Sequence, residues 1–261
     1  MPLLQTKGLT RSFGGLKAVD NVDMEVHERE ILGLIGPNGA GKSTCFNLLS
    51  GVIPPTAGQV LFDGRVITGM RAHQVARLGL IRTFQGITVF PQFTVLENAL
   101  VGADRHFTWN LWHAVANSRR YHGLDRDARE RALEALRWCG LADVHGVQAR
   151  NLPHGTQRVL ELAIALAAGP RLLLLDEPFS GLSAGESAPL IALIREIRDR
   201  GMTVVLVEHH VKLVMDLCDR IVVFGFGQKV AEGTPAEVRE NPDVIKLYLG
   251  ERRQRRAGTA G

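Results

Sequence analysis

The stretch GPNGAGKST, residues 36–44, constrains the chain more than any other. It follows a short apolar strand, Ile31 to Ile35, and precedes STCFNLLSG, a helical pattern closed by Gly51. Gly36, Gly41, Lys42 and Ser43 satisfy G-x-x-x-x-G-K-[ST] in full. Glycines let the backbone N–H groups turn inward as an anion-binding cradle, and the helix that follows presents its positive end to phosphate. Lys42 supplies a point charge for the outer phosphates, and the Ser43 hydroxyl suits Mg²⁺. The predicted site therefore runs through Gly36, Pro37, Asn38, Gly39, Ala40, Gly41, Lys42, Ser43 and Thr44. A plain glycine turn is the competing reading, and a chance match is expected in roughly one chain of this size in a hundred.

LLLLDEP, residues 172–178, is the second nucleotide feature. Four leucines make a buried strand, and burying Asp176 and Glu177 at its end is costly unless a metal or a proton-transfer task compensates. Asp176 is assigned to the magnesium's outer sphere and Glu177 to the general base for the attacking water.

The rest of the chain fits an α/β fold. RLLLLD, TVVLVEH and RIVVFG alternate with helical patterns such as ESAPLIALIREIRDRG, as expected of a mostly parallel sheet covered on both faces. Toward the N-terminus, QVLFDGRVI carries the Asp63-Gly64 pair that favours a tight hairpin, so an antiparallel β subdomain is expected there. LDRDARERALEALRWCG shows apolar residues at helical spacing, and residues 95–168 read as a helical subdomain inserted between 1–94 and 169–250. Residues 251–261, with four arginines, read as a solvated basic tail and give no specific nucleic-acid site. Three scattered cysteines indicate neither a disulfide framework nor a zinc site, which fits a reducing cytosol. No apolar run is long enough to span a membrane.

With these residues in view the chain resembles the ATP-binding subunits of ABC transporters, from LTRSFGGLKAVDNV to NPDVIKLYLGE. The resemblance implies a P-loop NTPase fold of the ABC ATPase type with ATP and Mg²⁺ as cofactors. It also implies roles that spacing alone does not. Phe13 matches the aromatic that stacks on adenine, Gln85 the glutamine that touches Mg²⁺ and the attacking water, and His209 the histidine that contacts the γ-phosphate. The family's L-S-G-G-Q signature loop matches Leu152, Pro153, His154, Gly155 and Thr156, followed by Gln157. Pro153 lacks the hydroxyl and N–H of the usual serine. Leu152, His154, Gly155 and Gln157 are expected to reach an ATP held by a second ATPase subunit. Ser183 stands where an Asp or Asn that faces the other subunit is usual.

Within the family, SFGGLKAVDNV, RTFQ with VFPQFTVLENALVG, and GTPAEVRENPDVIKLYLGE are most similar to ATPase subunits of branched-chain amino acid importers. That implies integral membrane permease partners, a solute-binding protein engaged only through them, and a place at the cytoplasmic face of the inner membrane. Ile87 to Phe93, apolar and proline-interrupted, is read either as packing of the helical lobe or as a groove for a permease helix. Competing readings are a soluble ABC ATPase acting on nucleic acid or ribosomes, a P-loop kinase or GTPase, and an inactive homologue.

Overall fold

The computed structural model describes residues 1–83, 89–103 and 119–249, with side chains in the last stretch from Arg126 onward. Gln85, Ile87 and the basic tail lie outside the described residues. The described residues divide into two compact units: 1–75, 174–178 and 194–249, and the described parts of 76–173 and 179–193. The described residues of 76–94, and residues 179–193, thus cluster with the helical lobe read at 95–168.

The first unit carries two sheets. In the antiparallel one, β1 (Leu4–Phe13) pairs with β2 (Leu16–Val26) and with β4 (Ala57–Phe62), which turns into β5 (Arg65–Val66). The order is β2-β1-β4-β5. Asp63 and Gly64 at the last turn have φ of 53° and 72°, the left-handed pair that matches the right-handed twist of the flanking strands. In the other sheet the strands run β10-β9-β3-β8-β7, where β3 is Ile31–Ile35, β7 Leu172–Asp176, β8 Thr203–Val207, β9 Arg220–Gly225 and β10 Gln228–Gly233. β3 lies parallel to both β8 and β9, and β10 returns antiparallel. β3, β7 and β8 are buried at every residue, which is why they read as continuous apolar runs without alternation. Gly33 of β3 has a physical reason. A Cβ there would lie 2.5 Å from Val214 of α7 (Val211–Leu217), so its absence lets the helix pack hard on the strand.

Helix α1 (Lys42–Leu49) follows the loop after β3, and Gly51, with φ of 70°, comes just beyond its Ser50 cap. Burial pushes the Cys45 thiol of this helix up to about 12, so it stays protonated and packs as a small apolar group.

In the second unit α3 (Val95–Ala103), α4 (Arg119–Trp138) and α5 (His154–Ala167) pack against one another. Their buried faces include Val95 and Ala99, Ala132 and Leu136, and Leu160 and Ala163. α5 begins at His154, because Pro153 holds the extended φ, ψ of an N-cap and needs no N–H partner there. Shorter elements are α2 (Ala72–Arg77), β6 (Leu80–Arg82) and α8 (Pro235–Glu240), and α6 spans Ala184–Asp199.

Gly102 sits where α3 crosses α5, and a Cβ there would fall 1.9 Å from the Ile164 carbonyl oxygen. Gly102→Ala is expected to force the helices apart at about 1–3 kcal/mol, lowering the melting temperature by roughly 3–10 °C in a thermal unfolding scan.

Candidate functional site

The phosphate loop is shaped from outside itself. A Cβ on Gly36 (φ 153°) would meet the Phe224 carbonyl oxygen of β9 at 2.2 Å, and one on Gly41 (φ 102°) the Ala18 carbonyl oxygen of β2 at 2.3 Å. Only glycine fits at either position, on steric and on dihedral grounds. Gly39 (φ 77°) differs, because nothing lies within 4 Å of its Cβ direction: the loop is open on that side. The β9–β10 turn clamps the loop, with the Gly227 N–H donating to the Ala40 oxygen at 3.0 Å and the Asp20 N–H to the Gly227 oxygen at 2.8 Å.

Lys42 begins α1 and is buried, 4% exposed. Its Nζ donates to the carbonyl oxygens of Gly36 at 2.7 Å and Pro37 at 2.9 Å, so an ammonium drawn from water is held against the loop's main chain. Ser43 is exposed beside it, and Asn38 and Gly39 face solvent. Among the described residues no three His, Cys, Asp or Glu side chains cluster as a metal cage. The donors present, the Ser43 hydroxyl and the Asp176 carboxylate, suit instead a hard cation that keeps phosphate oxygens and water as its other ligands.

Asp176 ends β7 and is 4% exposed. Glu177 follows in a left-handed conformation, φ 50°, unusual for a side chain with a Cβ. Its N–H is tied to the Val207 oxygen of β8 at 3.0 Å, and its carboxylate meets His209 Nε2 at 2.6 Å. With Glu177 ionised the imidazole donates through Nε2. Strained backbone retained by surrounding hydrogen bonds is a mark of functional positions. Sequence reading singled out both residues separately and missed Glu208 between β8 and His209. That carboxylate is 2% exposed, accepts the His209 N–H at 3.1 Å and lies 3.6 Å from His210 Nδ1. An acidic residue within an apolar strand terminus was the available signal.

Phe13 ends β1 and is 48% exposed, so its ring lies outside the core. The Arg11 guanidinium sits 4.7 Å from the ring centroid and donates to the Pro54 oxygen at 2.9 Å, bracing one face of the ring.

The signature residues belong to the second unit. Leu152 is buried and its carbonyl accepts from Gln157 Nε2 at 3.0 Å; His154 is exposed and opens α5 with Gly155 in the same turn. The segment after Glu177 folds back on this helix. Arg158 Nη2 donates to the Ser180 oxygen at 3.2 Å while Nη1 pairs with Glu161 at 3.0 Å. Ser183, expected from the resemblance to face another subunit, caps its own helix: its N–H and Oγ both donate to Glu186, at 2.9 and 2.7 Å.

The ABC transporter family model matches residues 19–180, and one for branched-chain amino acid ATP-binding cassette transporters matches residues 228–253. The chain is 43% identical to the high-affinity branched-chain amino acid transport ATP-binding protein BraF of Pseudomonas aeruginosa, and 44% identical to LivG of Salmonella typhimurium. Each alignment covers 96% of this chain and 98% of the relative. Identity to the lipopolysaccharide export ATP-binding protein LptB of Haemophilus influenzae is 32%, over the same share of each. Among solved structures, a nucleotide-free ATP-binding cassette from an ABC transporter superposes with a TM-score of 0.83 at 28% identity, covering 95% of this chain and 99% of that one.

Replacing Glu177 by Gln keeps the volume and removes the carboxylate expected to act as general base. Turnover of ATP is expected to fall roughly a hundred- to ten-thousandfold in a phosphate-release assay, while nucleotide affinity by calorimetry stays within about twofold.

Proposed function

This chain belongs to the ABC transporter family of ATP-binding subunits, and we propose that it powers the import of branched-chain amino acids or a related small polar solute. The observation that carries the proposal is identity of 43–44% to branched-chain amino acid transport ATP-binding proteins over nearly the whole length of both chains. The C-terminal family match at 228–253 supports the same assignment, and the lower identity to a lipopolysaccharide exporter subunit is consistent with it.

The protein is an ATPase, and its residues divide the work as follows. Gly36 to Thr44 offer main-chain N–H donors to the phosphates, Lys42 neutralises them, and Phe13 stacks on the base with Arg11 behind it. Ser43 and Asp176 would hold Mg²⁺, with Gln85 assigned to the same ion on resemblance. Bound there, the ion supplies charge neutralisation and aligns the phosphate oxygens. Glu177 accepts the proton of the attacking water. His209, fixed by its contact with Glu177 and by the backbone bond to Glu208, presents its imidazole toward the transferred phosphate. Much of the rate then comes from positioning, which the strained, doubly tethered Glu177 serves.

Two ATPase subunits, identical or related, meet head to tail, so that each ATP lies between one phosphate loop and the other subunit's Leu152, His154, Gly155 and Gln157. Closure on ATP and opening after hydrolysis move the permease through differential affinity for the closed form. No described helix is long and apolar enough to cross a membrane; in this reading the motion reaches integral membrane subunits by docking at the cytoplasmic face. Specific nucleic-acid binding has no part in this reading, and the solute-binding protein acts only through the permease.

The docking surface is assigned to the segment ending at Phe93. Phe90 and Phe93 are 47% and 43% exposed and stack at 5.2 Å, so neither ring is core packing. Buried Asn98 holds them out by accepting the Phe90 N–H at 2.7 Å and donating to the Phe90, Phe93 and Thr94 oxygens. A rigid apolar pair of this kind suits helix-in-groove recognition. Phe93→Glu is expected to abolish co-purification with the permease and solute uptake while leaving ATP binding by the isolated subunit intact. Retained co-purification and uptake would remove this surface from the proposal, and co-purification with nucleic acid in place of membrane proteins would overturn the importer reading.

A further inference from the structure

The tight turn between β9 and β10 carries an unusual residue. Gln228 pairs with Gly225 across it, and Phe226 and Gly227 at its tip have φ of 52° and 80°, the paired left-handed conformation that suits twisted strands. The chain makes a turn of the same kind between β4 and β5, and there it uses Asp63 and Gly64 at φ of 53° and 72°. A short polar side chain such as Asp tolerates left-handed backbone at the first position, whereas a bulky aromatic there is strained. Burial does not offset the strain, because Phe226 is 88% exposed. A strained aromatic that stands in solvent points to a contact outside its own fold.

The place of the turn indicates the contact. β3 and β9 run parallel with Ile35 beside Val223, so the phosphate loop and the Phe226 turn leave the same carboxyl edge of the sheet, where ligands of open α/β sheets bind. The turn is fixed there by its backbone. The Gly227 N–H donates to the Ala40 oxygen of the phosphate loop, and its carbonyl accepts the Asp20 N–H of β2. A Cβ on Gly227 would lie 3.0 Å from the Lys17 and Ala18 oxygens. Lys17 follows Leu16, which is exposed and pairs with Phe13 at the end of the β1–β2 ladder. Phe226 is therefore anchored beside both the loop that takes the phosphates and the strand pair that carries Phe13, and all three exposed apolar residues belong to one corner of the first unit. We propose that Phe226 is a second aromatic contact for the adenine base and sets the preference of this site for a nucleotide over bare phosphates. This rests on the reading of Phe13 as the base-stacking residue. An aromatic face stacks on a flat base without any hydrogen bond, and a turn already locked to the phosphate loop loses little freedom when the base arrives.

The test uses the full chain and calorimetry with two ligands in the presence of Mg²⁺: ADP, which engages base and phosphate contacts together, and inorganic pyrophosphate, which engages the phosphate loop alone. Phe226→Ala is expected to raise the Kd for ADP roughly five- to tenfold and to leave that for pyrophosphate within about twofold. Phe226→Trp, which keeps a flat face, should hold ADP within about twofold of the parent. Phe226→Asn separates contact from structure. It suits the left-handed turn and should raise the melting temperature by about 1–3 °C while weakening ADP as much as the alanine variant does. A residue that only shapes the loop would weaken both ligands together, and that result overturns the proposal. Unchanged ADP affinity in the alanine and asparagine variants overturns it too, and reduced self-association of those variants in sedimentation would then assign the ring to an interface with a second copy. Phe13→Ala shows which reading has failed: loss of ADP affinity there and none in Phe226→Ala overturns the Phe226 proposal alone, whereas no loss in either variant overturns the base-stacking reading of Phe13 with it.

Discussion

A buried ammonium organises this protein. Lys42 sits at the first position of α1 with 4% exposure, held by carbonyl oxygens of the loop that it serves. Burial of a positive charge is tolerable only where preformed acceptors, or phosphates, face it. The geometry that supplies them depends on two glycines whose missing side chains let β9 and β2 press against the loop. The parallel sheet, the β9–β10 turn and the antiparallel sheet therefore meet at one functional element, and each limits what the loop can do. A helix dipole, a strained loop and a buried lysine reinforce one another at that point.

The same economy of contacts appears at Glu177. Its left-handed backbone is held by a bond to β8 and its carboxylate by His209, so an acidic side chain that could swing freely is aimed. Glu208 does for His209 what Val207 does for Glu177: each fixes a main-chain N–H next to a working side chain. Such support is costly in local stability; in the proposed mechanism it favours catalysis because nothing need reorganise as charge develops.

In the helical unit polar groups are spent on holding loops. Asn98 makes four hydrogen bonds at 0% exposure so that two phenylalanines can stay exposed, and Arg158 ties α5 to the segment that bears Ser183. Ser183 and Glu186 cap α6, and the Glu186 side chain packs beside Gly155 in the first turn of α5.

The sequence by itself determined the elements whose signal is local: the phosphate loop between an apolar strand and a helix, the Asp63-Gly64 turn, and the fully apolar strands ending in Asp176-Glu177. Backbone dihedrals and side-chain periodicity act over a few residues, so such features are written in neighbouring letters. Resemblance supplied Phe13 and His209, which periodicity could not. Only the tertiary structure decided that Phe13 is braced by Arg11, that Glu177 and His209 touch, that α5 starts at His154, and that Ser183 turns inward to Glu186. Each of these depends on a contact or a local register that no spacing rule encodes, because side chains 32 residues apart meet only after the strands between them have paired.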